Sequence, residues 1–154
     1  MERSRDGYRI STDPARLDRA AIHGYLRTSY WSPGVPFDVV SRAIDGSLPF
    51  GLYAPGGGQA GFARAVTDGA TFGWLADVFV LEAHRGRGLG KWLVQTVLDH
   101  PQLTGVRRLT LATADAHSLY ERFGFGPADS SRVMELLRSA EELYGRRPEP
   151  ESRH

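Results

Sequence analysis

The residues best suited to do chemistry form one run, Arg85-Gly86-Arg87-Gly88-Leu89-Gly90-Lys91. It follows a long apolar stretch, Thr71 to Leu81. It precedes a segment in which Leu89, Trp92, Leu93 and Val97 recur at helical spacing. The run therefore reads as strand, glycine-rich loop, helix N-terminus. A helix start exposes about four backbone N–H groups without partners, together with the positive end of the helix dipole. Glycines remove the Cβ atoms that would keep a ligand away from those groups. The result is an anion cradle suited to a phosphate or pyrophosphate. Two nucleotide-binding patterns with similar ingredients fail on spacing. A phosphate loop needs G-x-x-x-x-G-K-[ST], but Arg85 stands in place of the first glycine and Trp92 in place of the hydroxyl. A dinucleotide fold needs G-x-G-x-x-G directly after a first strand, whereas Gly86, Gly88 and Gly90 alternate and lie mid-chain.

The pattern that fits is R-x-x-G-x-G, carried by Arg85, Gly88 and Gly90. A second segment, Leu119-Tyr120-Glu121-Arg122-Phe123-Gly124-Phe125, follows at a plausible separation. With the order of elements over roughly residues 7–138, these make the chain resemble the GNAT superfamily, the Gcn5-related N-acetyltransferases. The resemblance implies that acetyl-CoA is the co-substrate. Its pyrophosphate would meet the amides of Gly86 to Lys91, with Arg85 completing the motif. Its pantetheine arm would lie along Val78, Phe79 and Val80 like an added strand. Tyr120 would stand near the thioester sulfur. One departure is visible: many members carry asparagine seven residues before the tyrosine, and here that position is Thr113, whose hydroxyl offers fewer hydrogen bonds.

The implied chemistry is attack of an amine on a thioester. Tyr120 can protonate or hydrogen-bond the departing sulfur. Backbone N–H groups at the end of the 71–81 strand can stabilise the developing oxyanion. Cysteine is absent and no serine sits in a G-x-S-x-G elbow, so direct attack in a ternary complex is favoured over a covalent enzyme intermediate. Asp77, just before the pantetheine segment, reads as general base or as ligand for the substrate ammonium; the plain alternative is a hydrogen-bonded strand aspartate without chemistry. His117 precedes Tyr120 by three residues and can share its helix face, although a surface histidine is the ordinary outcome. Tyr30, Trp31 and Phe37 flank a Pro/Gly loop that often forms the acceptor side in the resembled family. An aromatic pair there could hold a cationic or aromatic amine, and Trp31 covering the core is the competing reading. Trp74 and Phe79 read as core, and His84 and His23 as solvent-facing. The histidines show no metal-ligand spacing. An acyl-CoA-binding sensor or partner module without catalysis is the second reading, and acyl transfer to a hydroxyl is a third.

These residues need a scaffold. At 154 residues the chain suits one domain. The expected fold is α/β: a mixed, mostly antiparallel sheet with helices on both faces. The resemblance adds that strands 71–81 and 106–113 run parallel and splay apart. Strands are expected at Tyr8–Ser11, Phe50–Tyr53, Gln59–Val66 and Val133–Leu137. Helices are expected at 14–28, 37–46, from the glycine loop to about His100, and 116–123. Residues 1–138 form the domain in this reading, and 139–154 a charged, frayed tail. A net charge of +1 argues against nucleic acid as the main partner. No signal peptide or membrane-length apolar run is visible, and the absence of cysteine suits a cytoplasmic location. A homodimer is compatible with the family, but no sequence feature decides it.

Overall fold

The computed structural model describes residues 1–145. Its core is a six-stranded sheet whose spatial order follows the sequence: β1 (Glu2–Arg5), β2 (Tyr8–Ser11), β3 (Leu48–Tyr53), β4 (Gln59–Thr67), β5 (Phe72–Val80) and β6 (Arg108–Thr110). Every neighbouring pair is antiparallel except β5 and β6, which run parallel. The helices are α1 (Arg19–Leu26), α2 (Phe37–Asp45), α3 (Leu89–Leu98), α4 (Pro101–Thr104), α5 (His117–Glu121) and α6 (Ala140–Tyr144).

Alternation along the strands divides the core between the two faces. Phe50, Leu52, Ala63, Ala65 and Leu75 pack with Leu89, Leu93, Val94 and Val97 around α3. Phe62 and Phe79 turn to the other face and meet Ile22 and Leu26 of α1 and Val40 and Ile44 of α2. Burying each of the Val, Leu, Ile and Phe side chains among these contributes about 1.5–3 kcal/mol. Arg19 also ties α1 to α2, donating to the Ser41 carbonyl at 3.0 Å and to Asp45 at 2.7 Å.

Several sequence expectations are corrected. Tyr8–Ser11 is the second strand, because Asp6 and Gly7, both at positive φ, make a tight hairpin with β1. The expected helix 14–28 is two pieces. Asp13 caps a single 3-10 turn over Pro14–Arg16, and Asp18 then starts α1, accepting from the Ala21 N–H at 3.0 Å. Beyond the end of α3, a further short helix, α4, begins at Pro101. The strand expected over 106–113 pairs only at 108–110. No strand forms at Val133–Leu137, where Met134, Leu136 and Leu137 are 95%, 79% and 80% exposed. A strand needs a ladder, and the three-residue β6 offers little to extend. Part of the expected frayed tail is a helix instead. Ser139 and Glu142 form a capping box at the start of α6, and Tyr144 packs against the α1–α2 core. The rest of that tail, 146–154, lies outside the described residues.

The feature that makes the site is the parting of β5 from β6. Their ladder runs only from Phe72↔Arg108 to Trp74↔Thr110, although both chains continue. On the other side of β5, Phe62 pairs with Phe79 and Arg64 with Ala76, so Asp77 and Val78 together stand opposite Ala63. Asp77 has φ +55°, a left-handed conformation that aspartate tolerates better than most side chains. Such a bulge bends its strand and re-aims a side chain. Here it turns Asp77 into the gap between the parting strands.

Candidate active site

Two cavities open along this gap. The first, about 310 Å³, is lined by Val78, Val80, Arg85, Gly86, Gly88 and Gly90, with Tyr25 and His84 beside them. The second, about 650 Å³, is lined by Arg64, Trp74, Asp77, Thr113, Tyr120 and Glu135, with Tyr30 at its rim. Trp31, Val78 and Asp115 line both, so the cavities meet at these three residues.

The first cavity has the form of an anion cradle. Gly86 and Gly88 have φ +82° and +76°, and Gly88 is the N-cap of the ten-residue α3. A Cβ added at Gly86 or Gly90 would point into open space, so the backbone there is approachable. Leu89 anchors the helix start in the core at 4% exposure. Arg85 folds back, its Nε donating to the Val80 carbonyl at 2.9 Å, which fixes the loop to the end of β5. These residues fit a pyrophosphate followed by an extended arm along Val78 and Val80. Phe79 is on the opposite face, stacked on Tyr25 with ring centroids 4.1 Å apart, so only its backbone can serve the cleft. Arg87 and Lys91 are exposed and do not line the cavity.

The second cavity has a different character. Asp77 is engaged on both oxygens: Oδ2 accepts from Arg64 Nε at 2.6 Å and Oδ1 from Trp31 Nε1 at 2.8 Å. The Arg64–Asp77 pair is largely sheltered, with side chains 19% and 13% exposed. Tyr30 reaches across to the far strand; its hydroxyl accepts from the Ala114 N–H at 3.0 Å and donates to Asp115 at 3.3 Å. The Tyr30-Trp31 loop thus straps both sides of the gap. Tyr120 is 8% exposed, and burial pushes its phenol up to about 12, with Tyr30 and Asp115 acting in the same direction. It therefore keeps its proton well above neutral pH. The Thr113 hydroxyl accepts from the Ala116 N–H at 3.0 Å, capping the approach to α5 within the second cavity rather than the cradle.

The structure gathers Asp77, Val78, Tyr120, Tyr30, Trp31 and the glycine loop into one cleft. His117 is exposed on α5 and lines neither cavity. Trp74, expected in the core, is half-buried on the cavity wall. His84 and His23, expected to face solvent, are half-buried; His84 Nδ1 lies 2.9 Å from the Tyr8 hydroxyl and His23 Nε2 2.9 Å from the Val35 carbonyl. Arg64, Asp115, Glu135 and Tyr25 were missed. Arg64 did leave a signal, being the one charge inside the otherwise apolar and small-residue run Gln59–Val66; buried charges need partners. Nothing local marked the other three.

The model of the acetyltransferase (GNAT) family matches residues 15–125. The chain belongs to the GNAT family. A Gibberella zeae protein named as an acetyltransferase candidate is 35% identical over 137 residues, 76% of this chain and 77% of its own length. A crystal structure of a GNAT-family acetyltransferase candidate from Xanthomonas campestris is 47% identical, with TM-score 0.82 over 85% of this chain and 93% of that one. Arabidopsis thaliana glucosamine-6-phosphate N-acetyltransferase, 16% identical, shares the fold alone, at TM-score 0.63 over 86% of this chain and 97% of its own. Among the described residues of this GNAT chain, no helix is long and apolar enough to cross a membrane. No group of three or more His, Asp or Glu comes together there in a metal-binding arrangement.

Proposed function

We propose that this GNAT protein transfers an acetyl group from acetyl-CoA to an amine by direct attack in a ternary complex. The observation that carries the reading is the meeting of the two cavities at Trp31, Val78 and Asp115. One has a glycine cradle for an anionic carrier, and the other has Tyr120 in its wall. When bound, acetyl-CoA supplies an acyl group activated as a thioester.

The protein's own part is positioning and proton handling. The first turn of α3 and the loop before it hold the pyrophosphate through backbone N–H groups. The open edge of β5 beyond Trp74 is free to hydrogen-bond the extended arm. Bringing both reactants to one junction removes much of the entropic barrier. Tyr120 holds its proton on the phenol oxygen, ready for the thiol that leaves. The reaction balances as amine plus thioester giving amide plus thiol, so the proton lost by nitrogen is matched by one gained at sulfur. Asp77, filled by Arg64 and Trp31, serves better to position these two side chains than to take a proton. The reading places the protein in the cytoplasm, with residues 1–138 as the catalytic domain.

The test is calorimetry with acetyl-CoA, followed by free-thiol release with a panel of amines and alcohols. Binding together with amine-dependent thiol release and an amide product is the expected result. Binding without turnover of any acceptor would instead support an acyl-CoA-binding module.

A further inference from the structure

The second cavity carries an excess of carboxylates. Its lining contains one cationic side chain, Arg64, and three carboxylates, Asp77, Asp115 and Glu135. Arg64 and Asp77 cancel each other, with Nε on Oδ2 at 2.6 Å and Nη1 on Ser47 Oγ at 3.1 Å. Two carboxylates are left. Asp115 sits at the junction with the donor cavity and receives only a neutral donor, the Tyr30 hydroxyl at 3.3 Å. Glu135 lies in the acceptor cavity alone, and among the described residues it forms no ion pair or hydrogen bond. The lining also includes Trp31 and Trp74, whose faces attract cations. A carboxylate-bearing acceptor would face two uncompensated negative charges. A molecule with two ammonium groups would satisfy both.

Resting on the acetyl-transfer reading above, we infer that the acceptor is a small diamine or longer polyamine. Its reacting amine lies at the Asp115 junction, and its second ammonium lies between the tryptophan walls against Glu135. The reacting ammonium first gives one proton to solvent. The neutral amine then attacks the thioester, forms the amide and yields its second proton to the departing sulfur, which leaves as the thiol. The distal ammonium remains charged and only binds. Its attraction is electrostatic and partly exposed, so added salt weakens it.

Three acceptors of one carbon-chain length separate the possibilities: 1,4-diaminobutane, n-butylamine and 4-aminobutanoate. Thiol release should give a kcat/KM for the diamine at least about tenfold above butylamine, with aminobutanoate lowest, a tenfold step being worth about 1.4 kcal/mol. Glu135→Gln should shrink the diamine-to-butylamine ratio by raising the KM for the diamine, and so should raised ionic strength with the wild type. Tryptophan fluorescence titrated with the diamine gives a binding readout that does not need turnover. Butylamine or aminobutanoate matching the diamine would overturn this inference while leaving acetyl transfer to amines standing. Preference for a lysine-bearing peptide over the diamine would overturn it in favour of a macromolecular acceptor. Silence from every amine, with acetyl-CoA still bound, would remove both readings.

Discussion

The two cavities of this GNAT protein differ in how they are built. The cavity proposed for the donor is mostly local, although Tyr25, Trp31 and Asp115 also line it. One loop and one helix start, within residues 85–90, supply the cradle, and the strand directly before them supplies the edge. The cavity proposed for the acceptor is assembled from α1, α2 and the loop between them, β4, β5, the chain after β6, α5, the segment around Glu135 and α6. A site made by consecutive residues tolerates change elsewhere and fails when its own backbone is blocked. A site made from many separate pieces depends on contacts such as Arg64–Asp77 and Tyr30–Asp115 that hold the pieces in place.

The largest expected effect separates the two cleanly. Gly90→Glu places a carboxylate in the cradle where a Cβ meets nothing within 4 Å. Acetyl-CoA affinity should fall more than about a hundredfold by calorimetry, about 2.7 kcal/mol. Fold stability should hold or rise slightly, because an acid in the first turn of a helix is favourable by about 0.3–1 kcal/mol. Gly88→Glu is the weaker probe, since φ +76° there adds backbone strain to the charge effect. Unchanged affinity in the Gly90 variant would show that the cradle is not the donor site.

Tyr120→Phe comes next, at the wall of the other cavity. Acetyl-CoA affinity should be retained while kcat falls by about tenfold to a thousandfold, the signature of an interaction made in the transition state. A phenol pushed up to about 12 stays protonated as pH rises through its ordinary value of about 10. Wild-type kcat should therefore show no loss of this donor up to about pH 10. A Phe variant running at wild-type speed would leave Tyr120 as packing only.

Asp77→Asn tests the assembled side. Asparagine also accepts positive φ, so the bulge persists while Arg64 loses its counter-charge. A partly sheltered guanidinium left unpaired should cost about 1–3 kcal/mol in denaturant unfolding. The acceptor KM should rise and acetyl-CoA affinity should not move. A lowered acetyl-CoA affinity would mean that the two cavities are not separable.

The smallest effect lies outside both. His100 is pushed below its ordinary value, mainly by burial and then by the N-terminal ammonium. Its Nδ1 accepts from the Gln102 N–H at 3.1 Å, capping α4. In the unfolded chain the imidazole binds its proton near pH 6.5, and in the folded chain only lower. This contribution to stability is therefore present above about pH 6.5 and lost as pH falls through the folded value. Thermal melts should show a shallow decline on that side, flattened in His100→Asn, with kcat and acetyl-CoA affinity unaffected at neutral pH.

The sequence by itself determined the cradle, because a glycine-rich loop at a helix start is chemistry written in consecutive residues. Turn composition at Pro55-Gly56-Gly57-Gly58 between two strand-like runs likewise marked the hairpin of β3 and β4, and the long apolar run Thr71 to Leu81 marked the course of β5. The same local logic misled where a segment's fate depends on a neighbour. Val133–Leu137 has the composition of a strand, yet β6 offers it only a three-residue partner. Leu17, at helical spacing with Ala20 and Ala21, lies in the break before Asp18 starts its own helix. Only the tertiary structure decided the second cavity. The bulge at Asp77 appears when two residues of β5 must oppose one of β4. The pairing of Asp77 with Arg64 joins residues thirteen apart, and Tyr30 meets Asp115 across eighty-five. Such contacts are set by sheet register and loop course, which no local pattern encodes.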